Sequence, residues 1–235
     1  MSIAENIAAI RAKMDEAARS CGRDPKEILL CAATKMNDAD AVRQAIAGGV
    51  DCCGENRVQE LVQKQKENAY EGAPVHFIGH LQTNKVKQVV GKVDLIQSVD
   101  SLRLLKAIDA EAAKQGLRQK ILLEVNIGNE ESKSGFRACD ILPLLEQIGD
   151  FPHISVCGLM AIPPISQNSG DNRKFFQEML QLSVDITAKK YDNVSMDCMS
   201  MGMSDDFEDA ISCGSTMIRV GTAIFGARNY AKVHQ

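Results

Sequence analysis

The chain has 235 residues, 45% of them hydrophobic, and a formal net charge of −4. That length suits one α/β domain with a large core, and the slight acidity offers neither nucleic acid nor an anionic membrane surface a partner. No apolar run is long enough to span a bilayer, and the N-terminal stretch MSIAENIAAIRAKMDEAA carries charges where a signal peptide would be apolar, so it reads as mature, cytoplasmic structure.

The elements alternate from the start. Ser2 to Cys21 is an amphipathic helix, with Ile3, Ile7, Ile10, Met14, Ala17 and Cys21 on one face and Ser2 and Glu5 at capping-box spacing. Strands are expected at residues 28–33, 50–53, 75–78, 93–97, 120–127, 154–162, 196–201 and 216–220, as short apolar runs of the buried parallel type. Helices are expected between them at 38–47, from 58, around 85–90, and at 101–115, 140–148, 173–190 and 205–213, with a short last one at 227–233. Strict βα alternation requires a parallel sheet, and eight such units close a barrel. The expected fold is a (β/α)8 TIM barrel with an extra N-terminal helix. An open doubly wound sheet is the alternative, disfavoured by the absence of GxGxxG after the first strand. No linker rich in Pro, Gly or Ser interrupts the alternation, so residues 1–235 read as a single domain.

The eight cysteines include no CxxC pair and read as free thiols in a reducing compartment. The four histidines show no i, i+4 pair, and no metal site is expected.

A closed barrel gathers the C-terminal ends of its strands on one rim. There the chain puts Lys35, Asn56, His80, Ser98, Asn126, Met160, Ser204, Arg219 and Gly221. The last two strands run into Gly202-Met203-Ser204 and Gly221-Thr222. Such loops can turn several N–H groups toward one phosphate, or can simply be tight turns. Lys35 directly follows an apolar strand. A lysine desolvated there can attack a carbonyl, and one that snorkels to solvent cannot. A lysine beside a phosphate site suits pyridoxal 5′-phosphate (PLP), which carries both an aldehyde and a phosphate. Arg219, two residues before Gly221, would share its side of the strand. It could face the pyridine nitrogen, clamp the phosphate, or pair with Glu55 or Glu124.

Several stretches then carry a resemblance: ATK (33–35), GENRVQE (54–60), HFIGHLQTNK (76–85), SVDS (98–101), EVNIGNEESKSGF (124–136), GLMAIP (158–163) and MSMGMSDDFEDAISCGSTMIRVGTAIFGAR (199–228). Nearly end to end, the chain resembles the PLP homeostasis proteins of the YggS/PROSC type. The resemblance implies a barrel like the N-terminal domain of alanine racemase (fold type III of PLP proteins) with PLP held as an internal aldimine. It implies Lys35 as the Schiff-base lysine, Arg219 at the pyridine nitrogen, Ser204, Gly221 and Thr222 on the phosphate, and Asn56 beside the ring. Arg57 stands where the family often has Tyr, and Thr34 where Ser is common. The implied function is storage, delivery or buffering of PLP, with no catalytic residue and negligible turnover. Partners would be PLP and PLP-requiring apoenzymes, and the protein a monomer or weak homodimer. The alternatives are a PLP-dependent racemase or decarboxylase, a Schiff-base aldolase using Lys35 or Lys120, and a PLP-sensing binding protein. Lys133, in the long loop after the fifth strand, is a candidate for a part in cofactor entry or exit, the alternative being a solvated loop lysine.

Overall fold

The computed structural model describes residues 1–131, 133–165, 168 and 170–226. Helix α1, Ile3–Ser20, begins with a reciprocal capping box: Ser2 Oγ accepts from Glu5 N at 3.2 Å and Glu5 Oε2 accepts from Ser2 N at 2.8 Å. Its buried face is Ile7, Ile10, Met14, Ala17 and Ala18. Cys21 lies beyond the helix end and is exposed, so it leaves the expected apolar stripe.

Eight strands follow: β1 (Leu29–Ala33), β2 (Cys52–Glu55), β3 (Val75–Phe77), β4 (Leu95–Val99), β5 (Gln119–Val125), β6 (Ile154–Ala161), β7 (Val194–Ser200) and β8 (Met217–Val220). All pair in parallel with their sequence neighbours, and β8 pairs with β1 to close the barrel. The connections are α2 (Ala39–Ala47), α3 (Val58–Lys66), a 3-10 helix (Thr83–Gln88), α4 (Leu102–Gln115), α5 (Ala138–Leu145), α6 (Arg173–Lys189) and α7 (Phe207–Ser212). Helix α8, Thr222–Phe225, starts directly after β8. The last helix expected at 227–233 lies outside the described residues.

Two strands sit later than the apolar runs suggest. β2 and β4 extend to Glu55 and to Ser98-Val99, because the ladder continues into polar residues whose side chains are bonded inside the wall. Hydrophobicity marks where a strand enters the core, whereas pairing decides where it ends. The segment near 85–90 is 3-10 rather than α; Val86, Val89 and Val90 are all buried within it or just after it. Three such closely spaced apolar residues need no full α-helical face, and short connectors commonly take this tighter form.

Alternation along the strands sorts the core. Leu30, Ala32, Ile218 and Val220 face outward to α1, which covers the β8–β1 seam with Ile7, Ile10 and Met14. Cys31, Cys52 and Met217, and separately Leu95, Leu122 and Met160, form two clusters inside the lumen. Arg23 ties the end of α1 to the same seam by donating to the carbonyls of Ile211 and Ser215 at 2.8 and 2.7 Å.

Candidate functional site

Lys35 stands on a turn anchored on both sides. Before it, the Thr34 hydroxyl donates to Glu55 Oε1 at 2.5 Å. Lys64 Nζ, from α3, donates to the Thr34 carbonyl at 2.8 Å and to Glu55 Oε1 at 2.5 Å. The Tyr70 hydroxyl donates to the same Glu55 oxygen at 2.9 Å. After it, Met36 N donates to Glu60 Oε2 at 2.6 Å, and Met36 holds φ +62°. A side chain in the left-handed region strains the backbone and persists where its surroundings over-determine it. Glu60 and Lys64 lie four residues apart on α3 and so share a face, which meets the turn. Lys35 itself is half-buried and engaged in contacts of its own.

Arg219 crosses the lumen. It starts on β8 opposite Cys31 and reaches the far strands. Nη1 donates to the carbonyl and hydroxyl of Ser200 at 2.7 and 2.5 Å, and Nη2 donates to the Ala161 carbonyl at 2.8 Å. Three of its five N–H donors therefore go to neutral acceptors, which fixes the guanidinium plane. Burial draws its pKa down, countered by Cys31, Glu124, Asp206 and Cys198. No ion pair among the described residues includes Arg219; Glu55 is taken by Lys64 instead. Ser200 continues the chain inward. Its hydroxyl donates to Gln97 Oε1 at 2.6 Å, and Gln97 Nε2 lies 2.9 Å from His76 Nδ1. Burial pushes His76 down to about 4, so the ring is neutral and can accept that N–H. Glu124, which points inward from β5, is pushed by burial and by Asp100 up to about 7, against the pull of Arg219 and His80.

The two candidate phosphate loops flank Arg219. Arg219 N donates to the Gly202 carbonyl at 3.0 Å. Gly202 has φ +95°, and a Cβ there would come within 2.6 Å of Ala210 Cβ. Ser204 is half-buried and Thr222 exposed. Gly221 lies against Ala33, whose Cβ would be 3.4 Å from a Cβ added at Gly221. Asp206, an awkward neighbour for a phosphate, is occupied elsewhere. It accepts from Met203 N at 2.7 Å and from Asn172 Nδ2 at 2.8 Å.

Asn56 completes the rim. Its backbone is crowded by Gly79, where a Cβ would lie 2.2 Å from the Asn56 carbonyl oxygen, so only glycine fits. Its Oδ1 is buried with no partner among the described residues. The loop after β5 is braced by Asn126, which accepts from Glu130 N and donates to the carbonyls of Glu130 and Lys133. Lys133 pairs with Glu130 at 2.6 Å and donates to the Pro163 carbonyl at 3.0 Å, tying this loop to the one after β6. His80 is exposed and meets Asp100 at 2.9 Å. Lys120 is exposed at the N-terminal end of β5, on the opposite rim from Lys35, so an aldolase lysine there has no part of this site.

Thus Lys35, Asn56, Arg219, Gly221, Thr222 and Ser204 all lie on or just inside the C-terminal rim, on the adjacent strands β7, β8, β1 and β2 or the loops after them. Glu60, Lys64 and Tyr70 are not expected at the site from the sequence, and Glu55 is expected there only as a candidate partner of Arg219, not of Lys64. The i, i+4 spacing of Glu60 and Lys64 is visible there, but not that their face meets Thr34. The residues present fit PLP: a lysine on a rigid mount, an unpartnered buried amide oxygen beside it, a fixed guanidinium below, and two close-packed glycine loops.

Comparison with known proteins gives one consistent answer. The profile of the family described as alanine racemase, N-terminal domain, matches residues 3–229. The pyridoxal phosphate homeostasis protein of Escherichia coli (strain K12) is 39% identical over 233 residues, covering 98% of each chain. That of Pseudomonas aeruginosa is 40% identical over 230 residues, covering 97% of each. Among solved structures, PipY of Synechococcus elongatus with PLP bound superposes with a TM-score of 0.82 at 31% identity, covering 96% of this chain and 100% of that one.

Proposed function

We propose, since the chain belongs to the family of pyridoxal phosphate homeostasis proteins built on the alanine racemase N-terminal-domain barrel, that it binds PLP through Lys35 and holds it for exchange with PLP-requiring apoenzymes. When bound, PLP supplies an aldehyde that condenses with an amine and a phosphate that anchors it. The chain's own residues divide the remaining work. The buried Glu55–Lys64 pair and Thr34 hold the Lys35 turn in one conformation. Ser204, Gly221 and Thr222 offer hydroxyl and backbone N–H donors to the phosphate from the loops after β7 and β8. Asn56 offers its unpartnered oxygen beside the ring.

The observation that carries the reading is the fixed guanidinium of Arg219. A cation that does not release its proton leaves the pyridine nitrogen unprotonated, which weakens the ring as an electron sink. The arrangement supports carriage over amino-acid chemistry. The test is borohydride reduction of the PLP-loaded protein followed by peptide mapping. The pyridoxyl group is expected on Lys35, and a label mainly on another lysine would overturn the assignment.

A further inference from the structure

The lumen beside Arg219 is lined with sulfur. Cys31 on β1 stands in register with Cys52 on β2 on one side and with Arg219 on β8 on the other. Residues in register on neighbouring strands point the same way, so both thiols enter the lumen with the guanidinium. His76 is in register with Gly54, two residues beyond Cys52, and shares that face. The donor atoms of Cys31, Cys52 and His76 all lie within 4.8 Å of one another, and all three residues are buried. Among the described residues this is the one group of three or more His, Cys or acidic side chains gathered so closely. Met217 packs on the two cysteines, and its thioether lies 3.1 Å from Gln97 Nε2.

We propose that Cys31, Cys52 and His76, with the Met217 thioether beside them, form a binding site for Cu(I). The donors are two thiols and an imidazole, with a thioether at hand and no carboxylate in the group. Such soft donors select Cu(I), Zn(II) or iron–sulfur chemistry over hard cations. Charge then separates the candidates. Uptake of one Cu(I) forms two copper–sulfur bonds and releases the two thiol protons, leaving a bis-thiolate centre of net charge −1. That centre offsets the buried Arg219 cation, whose hydrogen bonds all go to neutral groups. Zn(II) in the same place gives a neutral centre and prefers four strong ligands in a tetrahedron. In this structure Gln97 Nε2 donates to His76 Nδ1; ligation through Nε2 takes the other tautomer, with the proton on Nδ1 and the Gln97 amide turned so that its oxygen accepts it. The site is independent of Lys35: it lies inside the barrel, below the rim.

The test is anaerobic titration of the reduced full-length protein with Cu(I) in competition with bicinchoninate. The background carries Cys21→Ser and Cys139→Ser, which remove the two exposed thiols. One Cu(I) per chain is expected. Cys31→Val and Cys52→Val should each lower the affinity at least ~100-fold, since even loss of an outer-shell partner costs a metal site about 10–100-fold. X-ray absorption of the Cu(I)-loaded protein with both thiols intact should show a sulfur shell with one imidazole, a readout that does not depend on either variant folding. Failure to compete with bicinchoninate, binding that survives Cys31→Val, binding lost with Cys21 and Cys139, or displacement by Zn(II) would each overturn the proposal. PLP loading, read from visible absorbance, is a separate observable, so the two readings fail separately.

Discussion

Lys64 donates through one ammonium to the Thr34 carbonyl at 2.8 Å and to the Glu55 carboxylate at 2.5 Å, so α3 grips the residue immediately before Lys35. Glu55 is fully buried and Lys64 is 5% exposed. Removing one partner of such a pair leaves the other charge buried and alone, at about 3–5 kcal/mol. Lys64→Met is therefore expected to destabilise the protein by about that amount and to slow PLP loading at Lys35. Glu55→Gln with Lys64→Met, which removes both charges, should recover most of the stability. Chemical denaturation of the wild type and the two variants measures this, and a double variant no better than Lys64→Met would refute the coupling.

The phosphate loops make a different demand. Ser204→Ala together with Thr222→Ala should weaken PLP binding more than pyridoxal binding, because only PLP carries the phosphate charge. Each hydrogen bond lost to a charged group costs about 1.5–3 kcal/mol. Titration of both ligands onto the double variant, followed by visible absorbance, separates the cases. Equal weakening would move the phosphate away from these loops.

His76 and Glu124 give the barrel opposite pH dependences. His76 titrates near 6.5 unfolded and at about 4 in the fold, so its contribution is complete above 6.5 and is lost as pH falls toward 4. Glu124 is raised from 4.5 to about 7, so its contribution is complete below 4.5 and is lost as pH rises through 7. At 1.36 kcal/mol per unit each is worth about 3 kcal/mol at most, and less for Glu124, which is not fully buried. Between about 4.5 and 6.5 the two slopes oppose each other, so the wild-type protein should change little there. Glu124→Gln should expose the rise with pH over that window, and His76→Gln the fall. Urea denaturation at a series of pH values measures both slopes. Slopes unchanged from wild type in both variants would refute the assignment.

Much of this was legible in the chain because it depends on local pattern. Alternating apolar runs marked the strands, and the residues that follow them, Lys35, Gly221 and Ser204, necessarily reach one rim once the sheet closes. The mount beneath Lys35 was not legible. Glu55 reads as a loop residue beside Asn56, yet it belongs to β2 and faces α3. No periodicity marks a buried carboxylate whose partner comes from a helix face. The lumen was equally hidden. Cys31, Cys52 and His76 are each a full βα unit apart, with none of the spacing of a metal motif, and only strand register brings them together. Arg219 was read from the sequence with three roles open. The structure removes the Glu55 pair, because Lys64 already holds that carboxylate.

The last prediction concerns turnover. Racemisation on a barrel of this kind needs two bases on opposite faces of the substrate's α-carbon, and under the proposed assignment Lys35 would be one. A tyrosine is the natural second. Tyr70 is committed to Glu55 within the wall, at 2.9 Å, and does not reach the lumen. Tyr191 lies in the loop before β7, on the N-terminal rim, with its hydroxyl buried. Tyr230 lies outside the described residues, and Tyr230→Phe covers it experimentally. Arg219 is fixed by Ser200 and Ala161, and in its proposed place at the pyridine nitrogen it would disfavour transamination. The PLP-loaded protein, incubated with a panel of L-amino acids, is expected to yield no sustained D-enantiomer or keto acid. Sustained turnover that disappears in Lys35→Ala would make this chain an enzyme, and its loss in Tyr230→Phe as well would identify the second base.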